Sequence, residues 1–151
     1  MSHRIVQVIQ LQNLTKIINI HNHFMTTQAS IELRDLILTT QIGTYAKGDV
    51  IPDQHLLDLT LWIDSELVLI EQDHMKHVFD YDPLIKEIDR LARDGHYETQ
   101  ERLMTRIVRA CATYAPIKSL EIGLRKSPVM NQSGSLGVRL IVDADKLNQM
   151  R

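Results

Sequence analysis

Residues 54–64 constrain this chain more than any other stretch, because Leu57, Leu59, Leu61 and Ile63 alternate with Asp58, Thr60 and Trp62. Side chains of an extended strand point to opposite faces in turn, so this segment is a strand buried on one face only. The chain must therefore supply a layer to cover the leucines and strands to pair with both edges. Three other segments are candidates for that pairing. Residues 31–38 read as a strand whose apolar parity changes around Asp35, from Ile31 and Leu33 to Leu36 and Leu38, which predicts a bulge there. Residues 117–126 and 136–142 both alternate, and the link between them, 127–135, is rich in turn formers. The segment 39–45 continues extended towards Gly43, and Lys47-Gly48-Asp49 with Pro52-Asp53 supplies turn chemistry before the central strand.

Two helices supply the cover. Asp82 is read as an N-cap with Pro83 first in the helix, Leu84, Ile85, Ile88, Leu91 and Ala92 form one stripe, and Gly95 ends it. The second helix begins near Thr99, repeats Leu103, Met104, Ile107, Val108 and Cys111 at spacings of three and four, and ends before Pro116. The order is strand, strand, helix, helix, strand, strand. No repeat or linker divides it, which predicts an α+β domain with two helices on one face of a four-stranded antiparallel sheet. The open edges and the uncovered face of such a sheet predict a homo-oligomer.

At 151 residues and 44% hydrophobic, the chain is long enough for one domain with a core that needs no staples. The core must be mainly Leu, Ile and Val, since aromatics are only 5%. A net charge of −2 gives no field to collect nucleic acid or an anionic membrane, so neither is an expected partner. The single cysteine, Cys111, sits in the apolar helical stripe and reads as a packed thiol in a reducing compartment. Residues 1–30 read as a loosely ordered leader and 31–151 as the working domain. The apolar stretch 5–20 is interrupted by Gln7, Gln10, Gln12, Asn13, Lys16 and Asn19, so it is neither a membrane span nor a signal-peptide core, and a cytoplasmic protein is expected.

Several residues are candidates for chemistry. Lys126 continues the buried parity of Leu120, Ile122 and Leu124, so it is either a lysine snorkelling from a strand end or a partly desolvated base. Glu101 lies in the first turn of the second helix, where the helix dipole favours a carboxylate with or without a ligand. His21 and His23, and His74 and His77, have ligand-like spacing without a companion cysteine, and no metal site is expected from them. Phosphate-loop, dinucleotide and Ser-His-Asp signatures are absent from the sequence.

Taken in order, Ile42-Gly43-Thr44-Tyr45, Asp58-Leu59-Thr60-Leu61, Phe79-Asp80-Tyr81, Gln100-Glu101-Arg102-Leu103, Lys126 and Leu136-Gly137-Val138 resemble the dihydroneopterin aldolases over residues 31–142. The resemblance implies the tunnelling fold, in which sheets of four subunits close into a barrel and two rings stack, with sites between subunits. It implies retro-aldol cleavage of 7,8-dihydroneopterin, a step of folate synthesis, to 6-hydroxymethyl-7,8-dihydropterin and glycolaldehyde, with neither metal nor cofactor. By position, Glu101, flanked by Gln100 and Arg102, would bind the pterin. Tyr81 would enter from the neighbouring subunit, and Lys126 would act as general acid and base. The family's glutamate shortly after the Ile-Gly-x-Tyr motif falls on Gly48 here, leaving Asp49 as the nearest carboxylate to take its catalytic part. Lys126-Ser127-Pro128 also replaces the family's Lys-Pro. Two alternatives stay open at this point: an epimerase acting on dihydroneopterin or its triphosphate, and a pterin-binding ring protein without turnover.

Overall fold

The computed structural model describes residues 27–151. The first 26 residues of the expected leader, with His21 and His23, lie outside the described residues. Strand β1 (Ala29–Ile37) begins two residues ahead of the expected domain start and pairs antiparallel with β3 (Gln54–Ile63). Ile31 faces Leu61 and Leu33 faces Leu59, and the register then shifts so that Leu36 faces Leu57. At the shift Asp35 has φ +54°, and its N–H donates to Asp58 Oδ1 at 2.8 Å. The bulge is thus what keeps both halves of β1 apolar on the same side, as the parity change predicts.

β3 pairs on its other edge with β5 (Ser119–Ser127), which pairs with β6 (Leu136–Val142), all antiparallel, in the order β1-β3-β5-β6. Two helices cover one face. α1 (Asp82–Ala92) buries Leu84, Ile88 and Leu91, and α2 (Gln100–Ala112) buries Leu103, Ile107 and Val108. They meet Leu57, Leu59 and Leu61 of β3 and Leu120, Ile122 and Leu124 of β5 in one core. Each such leucine or isoleucine contributes about 1.5–3 kcal/mol on burial, so this layer contact dominates the fold's stability.

Four local features differ from the sequence expectation or were not contained in it. Tyr81, not Asp82, is the N-cap of α1, with Asp82 first and Pro83 second in the helix. The Asp80 carboxylate accepts the Asp82 N–H at 3.1 Å, which lets the helix start one residue early. A two-residue parallel pair joins β2 (Gln41–Ile42) to β4 (His96–Tyr97). Two single 3-10 turns occupy the connector, at Ser65–Leu67 and Met75–His77. A short third helix, α3 (Ala144–Gln149), is capped by Asp143, which accepts the Lys146 N–H at 2.8 Å, and drives Leu147 into the core.

The face away from the helices is ionic. Arg125 pairs with both Asp35 and Asp58, Arg139 pairs with Glu121, and Arg34 donates to Thr60 Oγ1 at 2.7 Å. The outer strand β6 exposes Leu136, Leu140 and Ile141, the last by 71%. Among the described residues neither outer edge of the sheet has a strand partner.

Candidate functional site

On the helix-facing side of β3 and β5 the apolar row ends in a pair of a different kind: His55 stands directly opposite Lys126, one step beyond Leu57 and Leu124. His55 is only 7% exposed, and its Nε2 has no hydrogen-bond partner among the described residues. Burial, with the neighbouring Lys126 cation, lowers its pKa from the ordinary histidine value, so the imidazole is neutral near pH 7. Lys126 is half-buried, as a residue at the end of an apolar row should be.

His55 lines a hollow of about 340 Å³ whose other walls include Thr40, Ile42, Tyr45, Asp53 and His96. The β2–β4 pair builds this wall. Gly43 N–H donates to Tyr97 O at 2.8 Å, the His96 ring nitrogen Nε2 bonds Gly43 O at 2.7 Å, and Thr44 Oγ1 donates to Glu98 Oε2 at 3.0 Å. Gly43 has φ +97°, a conformation that favours glycine, and a Cβ there would stand 2.9 Å from the Tyr45 hydroxyl. Thr40 Oγ1, like His55 Nε2, is buried without a partner. A larger, open concavity of about 900 Å³ shares Ile51 and Asp53 with the hollow and continues along Ser127, Pro128 and Gln132.

β4 also ties the hollow to the start of α2. Tyr97 donates its hydroxyl proton to Leu91 O at 2.6 Å and receives a bond from Arg106 at 2.7 Å, which fixes β4 against both helices. Thr99 then caps α2, its Oγ1 accepting the Arg102 N–H at 3.3 Å. Glu101 lies in the first turn, exposed, where the helix dipole favours its charge. Beside it Gln100 Oε1 is buried with no partner among the described residues. The Arg102 side chain is exposed.

The other expected site residues are placed differently. Asp49 closes a tight turn, its carboxylate accepting the Ala46 N–H at 2.7 Å while its own N–H donates to Ala46 O at 3.1 Å. Gly48 in that turn has φ +91°. Asp49 is exposed and does not line the hollow. Tyr81, 49% exposed, lines an apolar groove of about 440 Å³ with Ile31, Ile63, Val68 and Phe79. That groove is at the far end of β3, about 27 Å along the strand from His55.

Among the described residues no group of three or more His, Cys, Asp and Glu could hold a metal ion. His74 accepts the Lys76 N–H at 3.1 Å and meets His77 edge-on with ring centroids 6.3 Å apart, so it serves the turn between them. The Cys111 thiol is pushed up to about 12 by burial and is inert at neutral pH. No described helix is long and apolar enough to cross a membrane. The sequence reading missed His55, Thr40 and His96. For His55 the signal was present, since it shares the odd parity of Leu57, Leu59 and Leu61.

Known proteins place the architecture. The family model for dihydroneopterin aldolase (FolB) matches residues 31–141. Among solved structures, a dihydroneopterin aldolase of Vibrio cholerae, so named provisionally, superposes with TM-score 0.66 at 20% identity, covering 78% of this chain and 99% of its own. The Burkholderia thailandensis dihydroneopterin aldolase bound to guanine gives 0.63 at 18%, covering 76% and 89%. The Escherichia coli enzyme in complex with neopterin gives 0.63 at 15%, covering 75% and 97%. No curated protein sequence matches the chain significantly. The ββααββ arrangement is the tunnelling fold of these structures. Matched over well more than half its length, the chain belongs to the dihydroneopterin aldolase family.

Proposed function

We propose that the protein is a metal-independent dihydroneopterin aldolase of folate synthesis, working in the cytoplasm as a ring of four or eight subunits. The observation that carries this reading is the joint placement of Lys126 and Glu101. One ends a buried strand row beside a partly polar hollow, and the other is held at a capped helix start that β4 ties to the same hollow. Glu101, with Gln100 and Arg102 beside it, accepts the pterin's amino and ring N–H groups as a charge-assisted pair. Lys126 moves protons as the side-chain hydroxyl becomes a carbonyl and the adjacent C–C bond breaks, the pterin ring taking up the electron pair. The guanine and neopterin named with two of the structural neighbours are flat bicyclic rings carrying the same donor pattern, which supports a pterin as the ligand.

Tyr81 supports a shared site. It stands at the opposite end of the sheet from Lys126, exposed in an apolar groove, so it meets this chemistry only if a neighbouring subunit brings it there. The open sheet edges and the exposed Leu136, Leu140 and Ile141 of β6 fit that assembly.

One observation favours a second reading, an epimerase that recloses the bond on dihydroneopterin or its triphosphate. The Asp49 carboxylate is committed to its turn and not to the hollow. Incubating the protein with 7,8-dihydroneopterin and assaying glycolaldehyde separates the two. The aldolase releases it in step with 6-hydroxymethyl-7,8-dihydropterin, whereas an epimerase yields only an isomer. Binding of pterin with no product of either kind would leave a ring protein without turnover. Activity abolished by EDTA and restored by zinc would refute the metal-free mechanism.

A further inference from the structure

Two buried polar atoms without partners among the described residues, His55 Nε2 and Thr40 Oγ1, belong to residues that line the same hollow, next to the strand position of Lys126. An unpaired buried polar group costs about 1–3 kcal/mol, a cost that an occupant bonding to either atom would offset. At about 340 Å³ the hollow is in the size range of small-ligand pockets, which begin at about 300 Å³. Its lining sets Leu38, Ile42 and Ile51 beside Thr40, Tyr45, Asp53, His55 and His96, a mixture that suits a short chain bearing hydroxyls.

We propose that this hollow is the subsite for the hydroxylated side chain of the pterin substrate, and that His55 is the base in it that takes the hydroxyl proton. The assignment rests on the aldolase reading above and adds to it the group that Asp49, bound in its turn, does not supply. The imidazole is fit for the task because burial and the Lys126 cation keep it neutral, so its ring nitrogen holds a lone pair where a lysine ammonium has none. Other titratable groups facing the hollow are Asp53, His96 and Tyr45.

The proton count closes without an added reagent. His55 Nε2 accepts the hydroxyl proton, the O–H pair becomes the carbonyl bond of the departing aldehyde, and the broken C–C pair enters the dihydropterin ring. A ring nitrogen takes a proton from the Lys126 ammonium. The side-chain carbon left on the ring then takes the proton from the His55 imidazolium, and the ring nitrogen returns its own to Lys126. One hydrogen has moved from oxygen to carbon, and both side chains are restored.

The test uses His55→Leu and His55→Gln in the full-length protein, with two stable probes: neopterin, which carries the trihydroxypropyl chain, and pterin, which lacks it. The parent should bind neopterin more tightly than pterin. In His55→Leu the neopterin affinity should fall about tenfold, to the level of pterin, with pterin affinity unchanged. Turnover of dihydroneopterin should fall by about 100-fold in His55→Leu, and the acid limb of the parent's pH–rate profile should vanish from the residual rate. His55→Gln, which keeps a hydrogen-bonding group but no base, should recover neopterin affinity and not turnover. Equal loss of both probes, no loss of either, or an unchanged acid limb overturns the assignment of His55. If the parent releases no glycolaldehyde the aldolase reading fails on its own, and the neopterin-over-pterin preference still decides the subsite.

Discussion

The two ends of β3 obey the same parity and arrive at opposite chemistry. At Ile63 the inward row finishes in an apolar groove shared with Tyr81, Val68 and Phe79. At His55 it finishes in a neutral imidazole facing a lysine, with an unpaired nitrogen and a small hollow. Parity decides only which residues are taken out of water. What those residues are then decides whether the end of a strand is an apolar groove or a polar hollow with a titratable group. The distance between the ends, about 27 Å, means that one subunit cannot bring Tyr81 to its own Lys126.

The largest effect should come from the row that joins the ends. Leu59 is fully buried between Leu33 and Ile122, and Leu59→Ala should cost about 2–5 kcal/mol, read as a lower urea midpoint, with both ends failing together. If pterin binding survived while assembly was lost, the two ends would be structurally independent and the comparison would break. Glu101→Gln comes next. It replaces one acceptor oxygen with an amide donor facing pterin donors, and calorimetry with neopterin should show a loss of about 2–4 kcal/mol with the melting temperature unchanged. Unaltered affinity would return Glu101 to a residue that only answers the helix dipole.

A smaller effect tests whether the ends meet between subunits. Lys126→Met should keep pterin affinity and lose about 100-fold in turnover, and Tyr81→Ala should also be impaired. Co-refolded in equal amounts, the two inactive variants should regain roughly a quarter of parental turnover, the fraction of sites drawing an intact lysine from one chain and an intact tyrosine from the next. No recovery in a mixed ring of normal size would exclude Tyr81 from the neighbour's site.

The smallest effect is one proton's worth of pH dependence. The folded protein holds His55 below its ordinary pKa, so the unfolded chain binds a proton that the folded one refuses. Stability should therefore fall as pH drops below about 6.5 and level off once pH passes the lowered folded value. Urea titrations at pH 7.5 and 5.5 should show this loss in the parent and not in His55→Leu. An equal loss in both would mean that the imidazole is free to charge where it stands.

How much of this was legible in the chain depends on how local each signal is. The alternation at Leu57, Leu59 and Leu61, the change of parity at Asp35 and the two helical stripes were readable because each follows from the pitch of one element. Glu101 and Lys126 stood out because a helix start and the end of an apolar row are positions that can be counted. The β2–β4 pair was not readable, since two residues carry no period and the pairing exists only because the tertiary fold brings Gln41 beside His96. The third helix was hidden because it buries little besides Leu147 and has no stripe to count. The start of α1 was misplaced by one residue because Asp80 and Asp82 are both capping residues and only geometry chooses between them. His55 lay in plain parity with the leucines, yet its partnerless nitrogen and its hollow are properties of three separate segments.

The turn at Gly48 decides what a longer side chain placed there would cost. A glutamate there is not blocked by neighbours, because a Cβ would meet nothing within 4 Å. It is opposed by the backbone, whose φ of +91° costs a non-glycine residue about 1–3 kcal/mol. Gly48→Glu would therefore strain a turn that Asp49 ties shut from both its carboxylate and its amide. A single substitution at this position therefore meets a backbone cost before its side chain can do anything, and the conformation of the turn is what keeps glycine there.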